Sequence, residues 1–207
     1  MVDEFDDAQG NVTHVVTGLT ANDSAHHAQR TLKYCCGVLC GAWIVSFEWV
    51  LESLAAREWV EESDFEMRGD THGSGAPKRA RLALRKGAQR LFHGLRICFA
   101  GDFAQPSRKD LQRVARIGGA EILTTLPSLT TTMPEYLAEV KHTYVVIDAE
   151  RTDAAAAQEM HLVCGLVPLS YHWLLDSVSH YAAQPFDKYR IVVQEGRGYE
   201  TQQSLEF

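Results

Sequence analysis

The chain has 207 residues, 45% hydrophobic and 23% charged, with a net charge of -7. That composition excludes global disorder, and the acidic balance argues against non-specific nucleic-acid binding, which needs clustered Lys and Arg. The length suits one large domain or two of roughly 100 residues each.

Met1 to Asn11 is acidic and polar; it is expected to fray and carries no signal-peptide pattern. Thr13 to Val16 reads as a short buried strand, and Gly18 to Ala28 as a loop with Asn22, Asp23 and Ser24 as candidate N-caps. A helix from about Ala28 to Cys36 turns Leu32, Cys35 and Cys36 to one face and Arg30 and Lys33 to another. Trp43 to Val45 is a strand, and Ser46 caps a helix reaching about Arg57. The nearly apolar run Tyr34 to Val45 is shorter than the ~20 residues that span a bilayer, so a soluble intracellular protein is expected.

Glu61 to Lys86 reads as a linker, rich in Gly and carrying the basic run Pro77-Lys-Arg-Ala-Arg81. Such a run is a solvated face or, in the sharper reading, a nuclear-import signal. Next come a strand at Leu95 to Ala100, a helix from Arg108 to Ile117 stopped by Gly118-Gly119, and a strand at Ala120 to Leu123. Thr124 to Lys141 is an irregular loop. A strand at Thr143 to Ile147, a helix capped by Asp153, a strand at Val167 to Leu169 and a Ser170-capped helix to His180 complete the order.

The chain repeats itself. Gly41-Ala-Trp-Ile-Val-Ser-Phe-Glu-Trp-Val-Leu-Glu-Ser-Leu54 aligns without gaps on Gly165-Leu-Val-Pro-Leu-Ser-Tyr-His-Trp-Leu-Leu-Asp-Ser-Val178, with Gly, Ser, Trp, the second Leu and Ser identical. Two copies of one α/β unit follow. The second reads β-α-β-β-α-β-α and the first only β-α-β-α, so the first is expected to be truncated at its N-terminus.

Five cysteines, Cys35, Cys36, Cys40, Cys98 and Cys164, form no zinc-knuckle spacing and read as buried thiols. His26 and His27 are adjacent and diverge on any helix, and no HExxH, G-x-S-x-G or phosphate-loop pattern is present. Neither a metal, a cofactor nor catalysis is expected.

The element order and the Gly…Ser-x-x-Trp ending resemble a tandem BRCT domain. Arg30-Thr-Leu-Lys-Tyr34, Asp64 to Asp70, Pro77 to Arg81, Leu91 to Cys98 and Trp173 to Ser177 resemble the family of the breast cancer type 1 susceptibility protein and its RING-associated partner. The resemblance implies tandem α/β repeats, each a small parallel sheet flanked by helices, with the first incomplete. It divides the chain into a disordered acidic start at 1–11, a first repeat at 12–62, a basic linker at 63–90, a second repeat at 91–193 and a tail at 194–207.

It further implies a nuclear adaptor of the DNA damage response, acting in double-strand break repair, that binds phosphoserine with an aromatic residue three places on. Its partners are phosphorylated damage-response proteins, with no membrane and no direct nucleic acid; a ubiquitin-ligase assembly enters only through a longer parent, since no RING cysteines are present. Phosphate ligands carried over are Lys33 and, in a shortened fold, Thr17 and Gly18; the latter pair follows a different strand from the family's phosphate turn and also reads as a chance loop. The pocket for the aromatic residue maps to Arg30, Cys35, Gln105, Pro106 and Leu175, with Cys35 replacing a bulky side chain. Alternatives are a phosphate-independent interaction fragment whose pocket is lost and, against the charge balance, a reader of DNA ends.

Overall fold

The computed structural model describes residues 12–18, 26–127 and 142–191. The expectations for the acidic start, the tail, candidate caps 22–24 and most of the loop at 124–141 lie outside the described residues.

The first half opens with β1 (His14–Thr17), pairs His27–Ala28 as β2, and continues through α1 (Leu32–Cys40), β3 (Trp43–Ser46) and α2 (Phe47–Ala56). Strands β1 and β3 are parallel, with Thr17 opposite Ser46. A parallel pair needs a crossover, and α1 supplies it. Its approach to β1 is close: a Cβ on Gly37 would meet the Val15 side chain at 2.6 Å. Left-handed Gly41 (φ 70°) ends α1 by returning its N–H to helix carbonyls.

Helix α1 begins later than its composition suggests. Ala28 is claimed by β2, which pairs in parallel with β4 (Gly69–Asp70), and the Thr31 hydroxyl caps the helix by accepting from the Tyr34 N–H. Ser46 stands at the α2 N-cap, but its hydroxyl makes no capping bond.

The segment read as a linker is folded. Strand β4 turns antiparallel into β5 (Gly73–Ser74), and α3 (Ala76–Arg85) packs on α1. The buried Asp70 carboxylate organises the turn, accepting from the His72 and Gly73 N–H groups and from the Ser179 hydroxyl of the second half. The basic run is therefore not a uniformly solvated face. Arg81 is buried, donates twice to Glu66 (2.9 and 2.7 Å) and stacks on the Trp43 ring at 3.4 Å, while Arg79 donates to the His180 carbonyl.

The second half forms a four-stranded parallel sheet in the order β7-β6-β8-β9: β6 (Arg96–Phe99), β7 (Glu121–Leu123), β8 (Thr143–Ile147) and β9 (Leu169–Ser170). Helix α4 (Arg108–Ile117) starts in a capping box of Ser107 and Asp110. Helix α5 (Ala154–Cys164) is capped by Asp153, as its sequence predicts, and α6 (His172–His180) closes the unit. The two halves meet where α1 packs on α4 and α6, so one apolar core runs through both.

Candidate functional site

In a β–α–β crossover the helix N-terminus lies at the carboxyl end of the strands, where ligands of open α/β sheets bind. The β1–α1–β3 unit therefore brings Thr17, the last residue of β1, and Gly18 after it to the same end of the sheet as Lys33 in the first turn of α1. Gly18 and Lys33 are both exposed, and the first turn of α1 carries no acidic residue. Unpaired helix N–H groups and an ammonium both favour an anion there. The Thr17 hydroxyl donates to the Gly18 carbonyl at 3.3 Å, a long bond that an incoming acceptor can replace.

Leu32, Ala104, Gln105, Pro106, Ser107 and Asp110 line a cavity of about 430 Å³ between the halves. Of the five residues expected at such a pocket, Gln105 and Pro106 line it. The other three lie elsewhere for tertiary reasons. Cys35 and Leu175 are buried in the common core, and burial pushes the Cys35 thiol well above its ordinary value, so it stays protonated. Arg30 crosses between the halves instead, its guanidinium donating to Asp176 at 2.6 Å.

Tyr189 donates its hydroxyl to the other Asp176 oxygen, also at 2.6 Å. Burial pushes the Asp176 pKa upward, but the bonds from Tyr189 and Arg30 and the Arg30 charge outweigh it and hold the carboxyl below its usual range. Arg30 thus positions the end of α1 relative to α6. Sequence reasoning missed Leu32 as a lining residue, because its helical spacing assigns it to the core, and missed Asp176, because nothing local marks a partner 146 positions from Arg30.

No family model matches the chain. It is 29% identical over 182 residues to the mouse breast cancer type 1 susceptibility protein homolog, covering 86% of this chain and 9% of that protein. It is also 29% identical over 196 residues to BRCA1-associated RING domain protein 1 of Arabidopsis thaliana, covering 84% and 26%. The chain therefore spans a small fraction of either relative. Among solved structures, the BRCT5–BRCT6 domains of S. pombe Brc1 superpose with a TM-score of 0.57 at 17% identity, over 84% of this chain and 80% of that one. Rtt107p in complex with a phosphorylated histone does so with a TM-score of 0.59 at 11% identity, over 92% and 80%. The chain has the fold of the tandem BRCT regions and is similar in sequence to the breast cancer type 1 susceptibility protein and the BRCA1-associated RING domain proteins.

Proposed function

We propose that the chain is a nuclear phosphopeptide-binding module of the DNA damage response, reading phosphoserine followed three residues later by an aromatic side chain. The observation that carries the reading is the first turn of α1. Lys33 stands there at the anion-favouring end of the sheet, while the adjacent Leu32 lines the inter-half cavity with Gln105 and Pro106. One turn of helix thus serves a phosphate and a side chain. Three residues of extended peptide cover about 10 Å, which suits neighbouring subsites.

In this reading Lys33 pairs with the phosphate as a point charge, and Thr17 and Gly18 supply a hydroxyl and an amide. The complex that a structural neighbour, Rtt107p, forms with a phosphorylated histone supports it. Phosphorylated damage-response proteins are the proposed partners, and a ubiquitin-ligase assembly is proposed only through a longer parent protein.

The test is a polarisation titration with a pSer-x-x-Phe peptide, its unphosphorylated twin and Lys33→Met. Binding that needs both phosphate and Lys33 is expected. Binding indifferent to the phosphate in a folded sample would establish the phosphate-independent alternative.

A further inference from the structure

The strand–helix unit of the first half leaves open what its copy buries. Phe47, Leu51 and Leu54 fall at i, i+4 and i+7 along α2 and are all exposed, Leu54 by 70%; its counterpart on α6, Val178, is 0% exposed. Beside this stripe Trp59 is 74% exposed, although its ring stacks on Trp49, which in turn stacks on His14 of β1, with centroids 4.8 Å apart in each pair. Val50, Ser53, Leu54, Arg57, Glu58 and Trp59 line a groove of about 450 Å³ along it. The sheet is open as well: β8 pairs on both edges, whereas β1 pairs only with β3 among the described residues. A contiguous apolar face of this kind marks an interaction site.

Charge says what fits it. Glu48 and Glu52 of α2 and Glu58 and Glu61 just after it are all exposed, and Glu58 lines the groove beside Arg57. The second half shows the matching chemistry. In the core that buries α6 lies α4, a basic amphipathic helix with Leu111, Val114 and Ile117 inward and Arg108, Lys109, Arg113 and Arg116 along its length.

We propose that this face docks a basic amphipathic helix presented by another protein. Its apolar stripe lies on Leu51, Leu54 and Trp59, and its Lys and Arg side chains lie over Glu48, Glu52 and Glu58. The site is separate from the phosphate reading, because the two helices flank opposite faces of the sheet. Val15 meets Gly37 of α1, while its neighbour His14 stacks on Trp49 of α2.

The probe is a fluorescein-labelled, helix-stapled peptide copying residues 106–119 of this chain, with a twin in which Arg108, Lys109, Arg113 and Arg116 are replaced by Glu. Saturable binding of the basic peptide is expected, weakened at least about tenfold by Leu54→Glu and by the pair Glu48→Lys and Glu52→Lys, a factor equal to one step of 1.4 kcal/mol. These side chains are exposed, so circular dichroism and the melting temperature stay as in the parent. The proposal is overturned by equal binding of the charge-reversed twin or by no saturable binding. A wild-type dimer in light scattering that Leu54→Glu dissolves also overturns it, since it assigns the face to a second copy of the chain.

Discussion

Trp49 and Trp173 hold the same place in two copies of one unit, and in both the indole N–H donates at 2.9 Å to a carbonyl eleven residues on, Val60 or Gln184. The serines one turn later repeat the pattern. Ser53 accepts from the Val60 N–H at 3.2 Å and Ser177 from the Gln184 N–H at 3.1 Å. The identical residues of the repeat are thus a clamp that returns the chain after its last helix. The surroundings differ even where the residue does not, since Leu51 is exposed and its identical counterpart Leu175 is buried: α6 faces α1 across the junction of the halves, and α2 faces solvent.

The largest effect should come from removing the clamp where it is also core. Trp173 is fully buried against Phe92, Tyr144 and Phe186, and Trp173→Ala is expected to destabilise by about 4 kcal/mol in urea unfolding. Trp49 has the same bond but is flanked by His14 and exposed Trp59, so Trp49→Ala should lose about 2 kcal/mol. Equal losses would mean that the clamp, not the packing, sets the value. One turn further on the contrast should sharpen: Val178→Ala is expected to lose about 2 kcal/mol, and Leu54→Ala to stay within about 0.5 kcal/mol of the parent.

The junction itself should respond to pH. Asp176 keeps its low pKa only while Arg30 and Tyr189 hold it, so the folded state binds its proton less readily than the unfolded chain. Its contribution is fully present above the unfolded carboxyl pKa, about 3.9, and is lost as pH falls through the lower folded value. Asp176→Asn should therefore lose about 1.5 kcal/mol at pH 7, discounted because the pair is partly exposed, and the gap to wild type should narrow by pH 3. A gap independent of pH would show that the Asp176 charge contributes nothing.

Much of this was legible in the sequence, and the exceptions share a cause. Trp49, Ser53, Gly41 and their counterparts stand out because each acts within a dozen residues of itself, so the repeat exposes them. Arg81 does not, since a basic run looks solvated until Glu66 and Trp43 are brought to it by the fold. Strands β2, β4 and β5 have two residues each, too few for any periodicity. At the candidate site the proposed role of Lys33 comes from the family likeness, since a surface lysine on a helix carries no local signal. Cys35 and Leu175, expected at the pocket, lie buried in the core, and spacing along a helix does not tell a pocket wall from the core behind it.

The smallest effect on stability should accompany the sharpest effect on binding, and the two halves explain why. Counting back eight positions from the left-handed glycines, Gly41 and Gly165, sets Lys33 of α1 against Ala157 of α5. Thr17 opposite Ser46 and Ile147 opposite Ser170 set Thr17-Gly18 against Ile147-Asp148. Hydroxyl, glycine and ammonium in the first half become a methyl-rich side chain, a carboxylate and a buried methyl in the second. In the proposed reading the first half receives the anion, since a carboxylate at that end of the second repels one. Lys33→Met should leave unfolding within about 0.5 kcal/mol of the parent, while phosphate-dependent affinity falls about tenfold or more, the worth of one charge-assisted contact. Gly18→Asp, which installs the second half's carboxylate, should match that loss in the same polarisation titration. If it binds the phosphopeptide as tightly as the parent, the turn after β1 is not part of the phosphate site and Lys33 acts without it.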